Sequence, residues 1–326
     1  MERYNHRENA IALLFLIIPI LFVIIGLVFF PYRPAGTETI LEELLPLPLF
    51  FGLILLGIGF LIRKDGTDSK IKIIGWILFT FFWSTQPNKL YFGEDGDFVN
   101  AFLCIVGVFV LIYIAYHEWL STITKKKISC LNWAAGVAAI AGFIYFGIEI
   151  HLIQILLGFI GIEITSIEIW LREVVAAQSA WLLNVFTGNV TLGGLYIGWE
   201  LAHIKIIFAC TAVQSMVIFV GMILPLPKVN MKRKCIGLLV TIVPVYFLNL
   251  IRNALVVYLV GIYGPDFFGI AHNIIGKGGS LVALVILLFI VIKIIPEVFD
   301  EIICLTDLYK INGPLEQSFK KIWRKK

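Results

Sequence analysis

Eight stretches of this chain stay apolar for close to the thickness of a bilayer, and no other feature restricts its fold as much. They run roughly from Ala10 to Phe30, Leu44 to Ile62, Ile71 to Trp83, Phe98 to Tyr116, Ile128 to Ile148, Cys210 to Leu226, Cys235 to Tyr258 and Asn273 to Ile295. A helix needs about 20 such residues to cross ~30 Å of hydrocarbon, and inside lipid a helix satisfies its own backbone polar groups. The pattern therefore predicts an all-α polytopic membrane protein of about eight transmembrane helices. With 60% hydrophobic and 15% charged residues, too little polar surface remains to coat a water-soluble globule. The first run lacks the short apolar core and small-residue cleavage site of a signal peptide and reads as a retained helix. The third run is the shortest and spans only if flanking aromatics and snorkelling lysines extend it.

Charge placement gives an independent count. With the N-terminus inside, 20 of the 26 Lys and Arg residues fall on the inner side: Arg3 and Arg7, the 63–72 group, Lys125 to Lys127, the 228–234 group, and the tail from Lys293 onward. Only Arg33, Lys89, Arg172 and Lys205 fall outside, and Arg252 and Lys277 lie within runs. Basic residues are retained on the cytoplasmic side, so eight crossings with both termini cytoplasmic are expected. The chain reads as one membrane domain, 1–326. A five-helix part (10–148) precedes an extracytoplasmic insertion (149–209), a three-helix part (210–295) and a basic cytoplasmic tail (296–326). Nucleic acid is not implied as a partner.

The insertion is too polar to span and too apolar for a solvated loop. Ile162, Ile167, Trp170, Leu171, Val174 and Trp181 recur at helical spacing among Glu163, Glu168, Arg172, Glu173 and Gln178, which predicts an interfacial amphipathic helix. Gly193 and Gly194 then separate runs rich in β-branched and aromatic residues, predicting a short β-hairpin before the sixth helix.

Ionisable residues inside spans are costly and mark function. Arg252 lies 17 residues beyond Cys235, about 26 Å up the bilayer, near the outer face. His272 opens the eighth helix from that same face, and Cys210 opens the sixth. Thr211, Gln214 and Ser215 follow within about one turn of Cys210, while Asn249 and Asn253 flank Arg252, supplying donors and acceptors at one level. A cysteine beside a helix N-terminus and a guanidinium sits where the anion is favoured. A thiolate beside an imidazole is the minimum apparatus for acyl transfer. Arg252 is suited to hold a carboxylate or the oxyanion of a tetrahedral intermediate. Each residue also has a plain reading: Cys210 as a small core residue, Arg252 snorkelling to headgroups, His272 in a local pair. Cys104 is the other outer-half cysteine, so a Cys104–Cys210 disulfide is an alternative fate for the thiol. Cys130, Cys235 and Cys304 fall on the inner side and read as inert. Glu42 and Glu43 have no matching His cluster, so neither metal nor other cofactor is expected.

The segments Ala209-Cys210-Thr211-Ala212-Val213-Gln214-Ser215, Asn249-Leu250-Ile251-Arg252-Asn253 and Ala271-His272-Asn273 resemble, in order and spacing, the archaeosortase and exosortase family. Many relatives carry Gly where this chain has Ala212, and some carry Arg in place of His272. The resemblance implies a membrane cysteine transpeptidase that cleaves the C-terminal sorting signal of exported proteins. Those partners carry a short motif, one transmembrane helix and a basic end. Cys210 would form the acyl-thioester, resolved by a membrane lipid acceptor, in archaea prenyl-derived. Arg252 is implied as proton donor or charge stabiliser, and His272 as transition-state stabiliser or general base. The rival from another class is a transporter using Arg252, His272 and Lys277. It predicts polar groups spread through the midplane, whereas the sequence places them near the outer end.

Overall fold

A computed structural model describes residues 4–323 except 35, 38, 63–65, 94–95, 153 and 155–165. The protein is a polytopic, overwhelmingly helical membrane protein. Among the described residues, six helices are long and apolar enough to cross a bilayer: His6–Phe29, Ile40–Leu61, Phe98–Thr124, Ser129–Glu149, Met231–Tyr263 and Pro265–Ile294. The third and sixth predicted spans are helical too. They are Thr67–Ser84, of 18 residues, and Val213–Ile223, of only 11.

The chain divides into two compact units, residues 1–139 with 301–326, and residues 140–300. In the first lie α1 (His6–Phe29), α2 (Ile40–Glu43), α3 (Pro46–Leu61), α4 (Thr67–Ser84), α5 (Gln86–Phe92) and α6 (Phe98–Thr124), and α7 (Ser129–Glu149) begins there. A capping box starts α1: Glu8 N–H donates to Asn5 Oδ1 and Asn5 N–H to Glu8 Oε2, both at 2.8 Å. At its far end Asn88 Nδ2 donates to the carbonyls of Gly26, Leu27 and Phe30, filling acceptors that a helix C-terminus leaves open. Helices α3 and α4 pack so closely at Gly52 and Gly75 that a Cβ on Gly52 would lie 2.8 Å from Phe79 N. Small residues allow such approach where apolar burial gives no drive between helices.

In the short third run one of the lysines is paired. Lys72 is buried, its Nζ 2.9 Å from Glu118 Oε1 and 3.8 Å from Asp68 Oδ2. A second buried group joins α6 to the tail helix Pro314–Trp323. Tyr113 and Tyr116 hydroxyls donate to Glu316 at 2.7 and 3.0 Å, and His117 Nε2 lies 3.4 Å from the same carboxylate. The first unit thus buries polar groups of its own. Cys130 and Cys304 are not inert, for they form a disulfide between α7 and the helix Glu297–Thr306. Neither Cys104 nor Cys210 is in a disulfide.

The second unit holds α8 (Ile167–Thr187), a sheet, α9 (Val213–Ile223), α10 (Met231–Tyr263) and α11 (Gly278–Ile294). Helix α8 occupies the place of the predicted amphipathic helix, though Ile162 and Glu163 lie outside the described residues. Its buried side carries Val175, Ala176, Ala180 and Leu183, while Trp170 and Trp181 face outward. The hairpin is extended by a third strand. Strands β1 (Thr191–Gly193), β2 (Tyr196–Trp199) and β3 (Ala202–Lys205) form an antiparallel meander, with Leu192 opposite Ile197 and Ile197 opposite Ile204. Two neighbouring cations, read from sequence only as topological charges, tie helix ends together. Lys234 Nζ donates to Leu224 O at 2.6 Å, beyond α9, and Arg233 donates to Ile294 O and to both Glu297 oxygens. Carbonyls at helix C-termini favour such cations.

Candidate active site

Cys210 is delivered by the end of the sheet. After β3, Ile206 N–H donates to Leu195 O at 2.8 Å. Arg172 of α8 donates from Nε to Ile206 O at 3.0 Å while its Nη1 binds Glu168 at 2.9 Å. The chain then makes a 3-10 turn, Phe208–Thr211, closed by Thr211 Oγ1 donating to Phe208 O. Cys210 is therefore one turn ahead of α9 rather than its first residue. Between them Ala212 adopts φ +60°, the left-handed region that costs a residue with a Cβ about 1–3 kcal/mol.

The Cys210 carbonyl is held from the side by α10. Asn249 Nδ2 donates to it at 2.7 Å and Asn253 Nδ2 at 3.0 Å, and both side chains are buried. Residues 249, 252 and 253 share one face of a helix, so the face that carries Arg252 also grips the backbone of Cys210. Arg252 Nε is buried and has no hydrogen-bond partner. A Cβ added to Gly276 would stand 3.1 Å from that nitrogen, so the missing side chain at 276 is the space in which the guanidinium stem lies.

Gly276 belongs to a π-helix, Ile270–Lys277, which also carries His272 and ends at Lys277. Such wide turns are rare and concentrate at functional sites. The His272 ring stacks on Phe268, centroids 5.1 Å apart. The three predicted segments thus converge on one stretch of α10: Cys210 through its carbonyl at 249 and 253, and the His272 segment through Gly276 at Arg252 and Val256. One apolar cluster encloses them, including Cys210, Leu250, Ala254, Val256, Val257 and Ala271. Thr211 is buried and accepts from Val213 N–H, Ser215 is half-buried and Gln214 is exposed.

Sequence reasoning missed several supports. Arg172 had been visible only as one of four outer cations, and Glu168, four residues before it, was the available signal of a helical pair. Tyr246, which donates its hydroxyl to Gln178 of α8, carried no signal. Nor did Gly261, where a Cβ would stand 2.3 Å from the Trp199 ring, itself stacked on Tyr258. Among the described residues, the one His, Cys, Asp or Glu group compact enough for a metal is Cys130, Glu301 and Cys304, whose sulfurs are bonded to each other.

The segments that carry Cys210, Arg252 and His272 thus meet along one stretch of α10, where Arg252 Nε has no hydrogen-bond partner. The model of the transmembrane exosortase family matches residues 62–289, which include all three groups, and this chain belongs to that family. It is also 26% identical over 279 residues to Archaeosortase A of Haloferax volcanii, covering 77% of this chain and 88% of that protein. No solved structure matches.

Proposed function

We propose that this protein is a membrane cysteine transpeptidase that cleaves the C-terminal sorting signal of exported proteins and passes them to a lipid anchor. The observation that carries the proposal is the grip of Asn249 and Asn253 on Cys210 beside Arg252, whose buried Nε has no hydrogen-bond partner. A buried cationic donor left unsatisfied is costly, and an anion or oxyanion supplied by substrate removes the cost. In the proposed cycle His272 takes the Cys210 proton and Sγ attacks the scissile carbonyl. Arg252 stabilises the tetrahedral oxyanion. Collapse breaks the C–N bond, the proton returns from His272 to the leaving amine, and the thioester remains. A nucleophilic group of a membrane lipid, prenyl-derived in an archaeal host, then attacks the thioester and regenerates the thiol. His272 suits the proton transfers because imidazole titrates near neutrality, whereas guanidinium holds its proton.

The charge asymmetry supports a site on the extracytoplasmic side with both termini cytoplasmic, where an exported protein's anchor emerges. Co-expression with exported substrates is the test. Wild type should yield a shortened, lipid-modified product and a thioester on Cys210, and Cys210→Ala neither; unchanged processing in Cys210→Ala would overturn the proposal. The separate roles divide at His272→Arg, which keeps much of the activity if residue 272 only stabilises charge and loses most of it if 272 moves protons.

A further inference from the structure

We infer that Asn249 and Asn253 are positioning residues: a two-pronged carboxamide clamp that occupies the Cys210 carbonyl and so keeps Arg252 available for substrate. The inference rests on the reading of Cys210 as nucleophile, but its geometry is independent of the substrate. A carbonyl oxygen has two lone pairs. Here one is met by Asn249 Nδ2 at 2.7 Å and the other by Asn253 Nδ2 at 3.0 Å.

That oxygen lies at the helix face from which Arg252 projects. An open peptide carbonyl on that face would be an acceptor for which a guanidinium competes well, because hydrogen bonds from a charged donor are stronger than neutral ones. Two neutral amides fill it instead, and Arg252 Nε stays buried without a partner. The charge is thereby withheld from the protein's own backbone.

The clamp also sets register. Asn249 and Asn253 stand one turn apart on a continuous helix, Met231–Tyr263, with Arg252 between them. Two bonds to a single atom fix the Cys210 peptide along and across that helix, which one bond would not do. The 3-10 turn and the left-handed Ala212 leave this peptide outside any regular helix, so the amides supply the constraint that an α-helix would otherwise provide.

Carboxamides suit this work better than the alternatives. Aspartate at 249 or 253 would be a pure acceptor facing an acceptor and would draw Arg252 into an ion pair. Lysine would add a second cation beside the first.

The test uses the full-length protein in native membranes with two readouts. One is alkylation of Cys210 by iodoacetamide, scored on its own peptide by mass spectrometry with no substrate present. The other is thioester formation on a processed substrate. Asn253→Ala and Asn249→Ala should each slow both by about tenfold, as expected for one lost hydrogen bond to a buried group, with KM within twofold of wild type. Asn253→Asp should be slower than Asn253→Ala, and Asn253→Gln should recover most of the rate by keeping the donor. In an Arg252→Ala background the same Asn substitutions should have less than a twofold further effect, because clamp and guanidinium act as one unit.

Alkylation and thioester rates unchanged in well-folded Asn249→Ala and Asn253→Ala proteins would overturn the clamp. So would fully additive losses with Arg252→Ala. If the paired Ala variant fails to accumulate, the near-isosteric Asn253→Asp and the Asn253→Gln rescue still decide the matter. Should Cys210→Ala leave processing intact, the transpeptidase reading fails, while the alkylation series still reports on the clamp.

Discussion

Two buried polar regions, one in each compact unit, surround their charges differently. In the first, Lys72 lies against Glu118 and Asp68, and Glu316 takes the hydroxyls of Tyr113 and Tyr116 with His117 alongside. In the second, Arg252 keeps a buried nitrogen without a hydrogen-bond partner, and the amides of Asn249 and Asn253 on the same helix occupy the Cys210 carbonyl. In the first unit opposite charges face one another across helices, although Asp68 Oδ1 and both His117 nitrogens, like Arg252 Nε, are buried without a hydrogen-bond partner. A charged residue in a membrane span is therefore not by itself a mark of function.

The sharpest way to break that contrast is to remove the open charge. Arg252→Ala should cost processing by about 100- to 1000-fold, the range for losing an oxyanion donor, with little loss of stability because nothing in the protein depends on it. A large fall in the detergent melting temperature of Arg252→Ala would put Arg252 with the scaffold instead. Lys72→Ala should do the reverse. It strands Glu118 and Asp68 in the core and should destabilise by about 3–5 kcal/mol, while the surviving folded fraction processes substrate normally. The pair Lys72→Met with Glu118→Leu should restore most of the loss, read in the same unfolding assay.

Smaller changes sharpen the comparison. Gly276→Ala places a methyl 3.1 Å from Arg252 Nε and should lower processing by about tenfold, equivalent to ~1.4 kcal/mol, through displacement of the guanidinium. Ala212→Gly should raise stability by about 1 kcal/mol by relieving the left-handed backbone, leaving the rate near wild type. At the helix ends, Arg233 holds the Glu297 carboxyl below its ordinary range through a charged hydrogen bond. A depressed carboxyl stabilises the fold above its unfolded pKa and loses that contribution as pH falls through the folded one. Glu297→Gln should thus cost a little stability at pH 7, an exposed pair being weak, and less in acid as the wild-type carboxyl takes up its proton, read from melting temperatures across pH.

Much of this was legible in the residues. Apolar run length marked the membrane-length helices, amphipathic spacing marked Ile167–Thr187, and glycines with β-branched neighbours marked the sheet, although its third strand was hidden because Ala202 to Lys205 lacks a turn signal of its own. The site segments could be placed at one depth from helix arithmetic. Their convergence could not, since side-chain to backbone bonds such as Asn249 to the Cys210 carbonyl leave no periodic trace. The run from Ile71 to Trp83 looked too short because hydropathy counts Lys72 as a cost and cannot see Glu118 across the interface. The Cys130–Cys304 bond, 174 residues apart in the chain, was equally invisible, since each cysteine alone looks like an ordinary small core residue.

The latch formed by Glu316 has a consequence for biosynthesis. The first unit is assembled from residues 1–139 together with 301–326, so its last pieces leave the ribosome only after the entire second unit has been made. Tyr113, Tyr116 and His117 must wait through that interval with their carboxylate partner still untranslated. The insertion machinery therefore handles a half-closed bundle for the length of about 160 residues of synthesis, tens of seconds or less at ~5–20 residues per second. Truncations before Gly313 would keep it in that state for good.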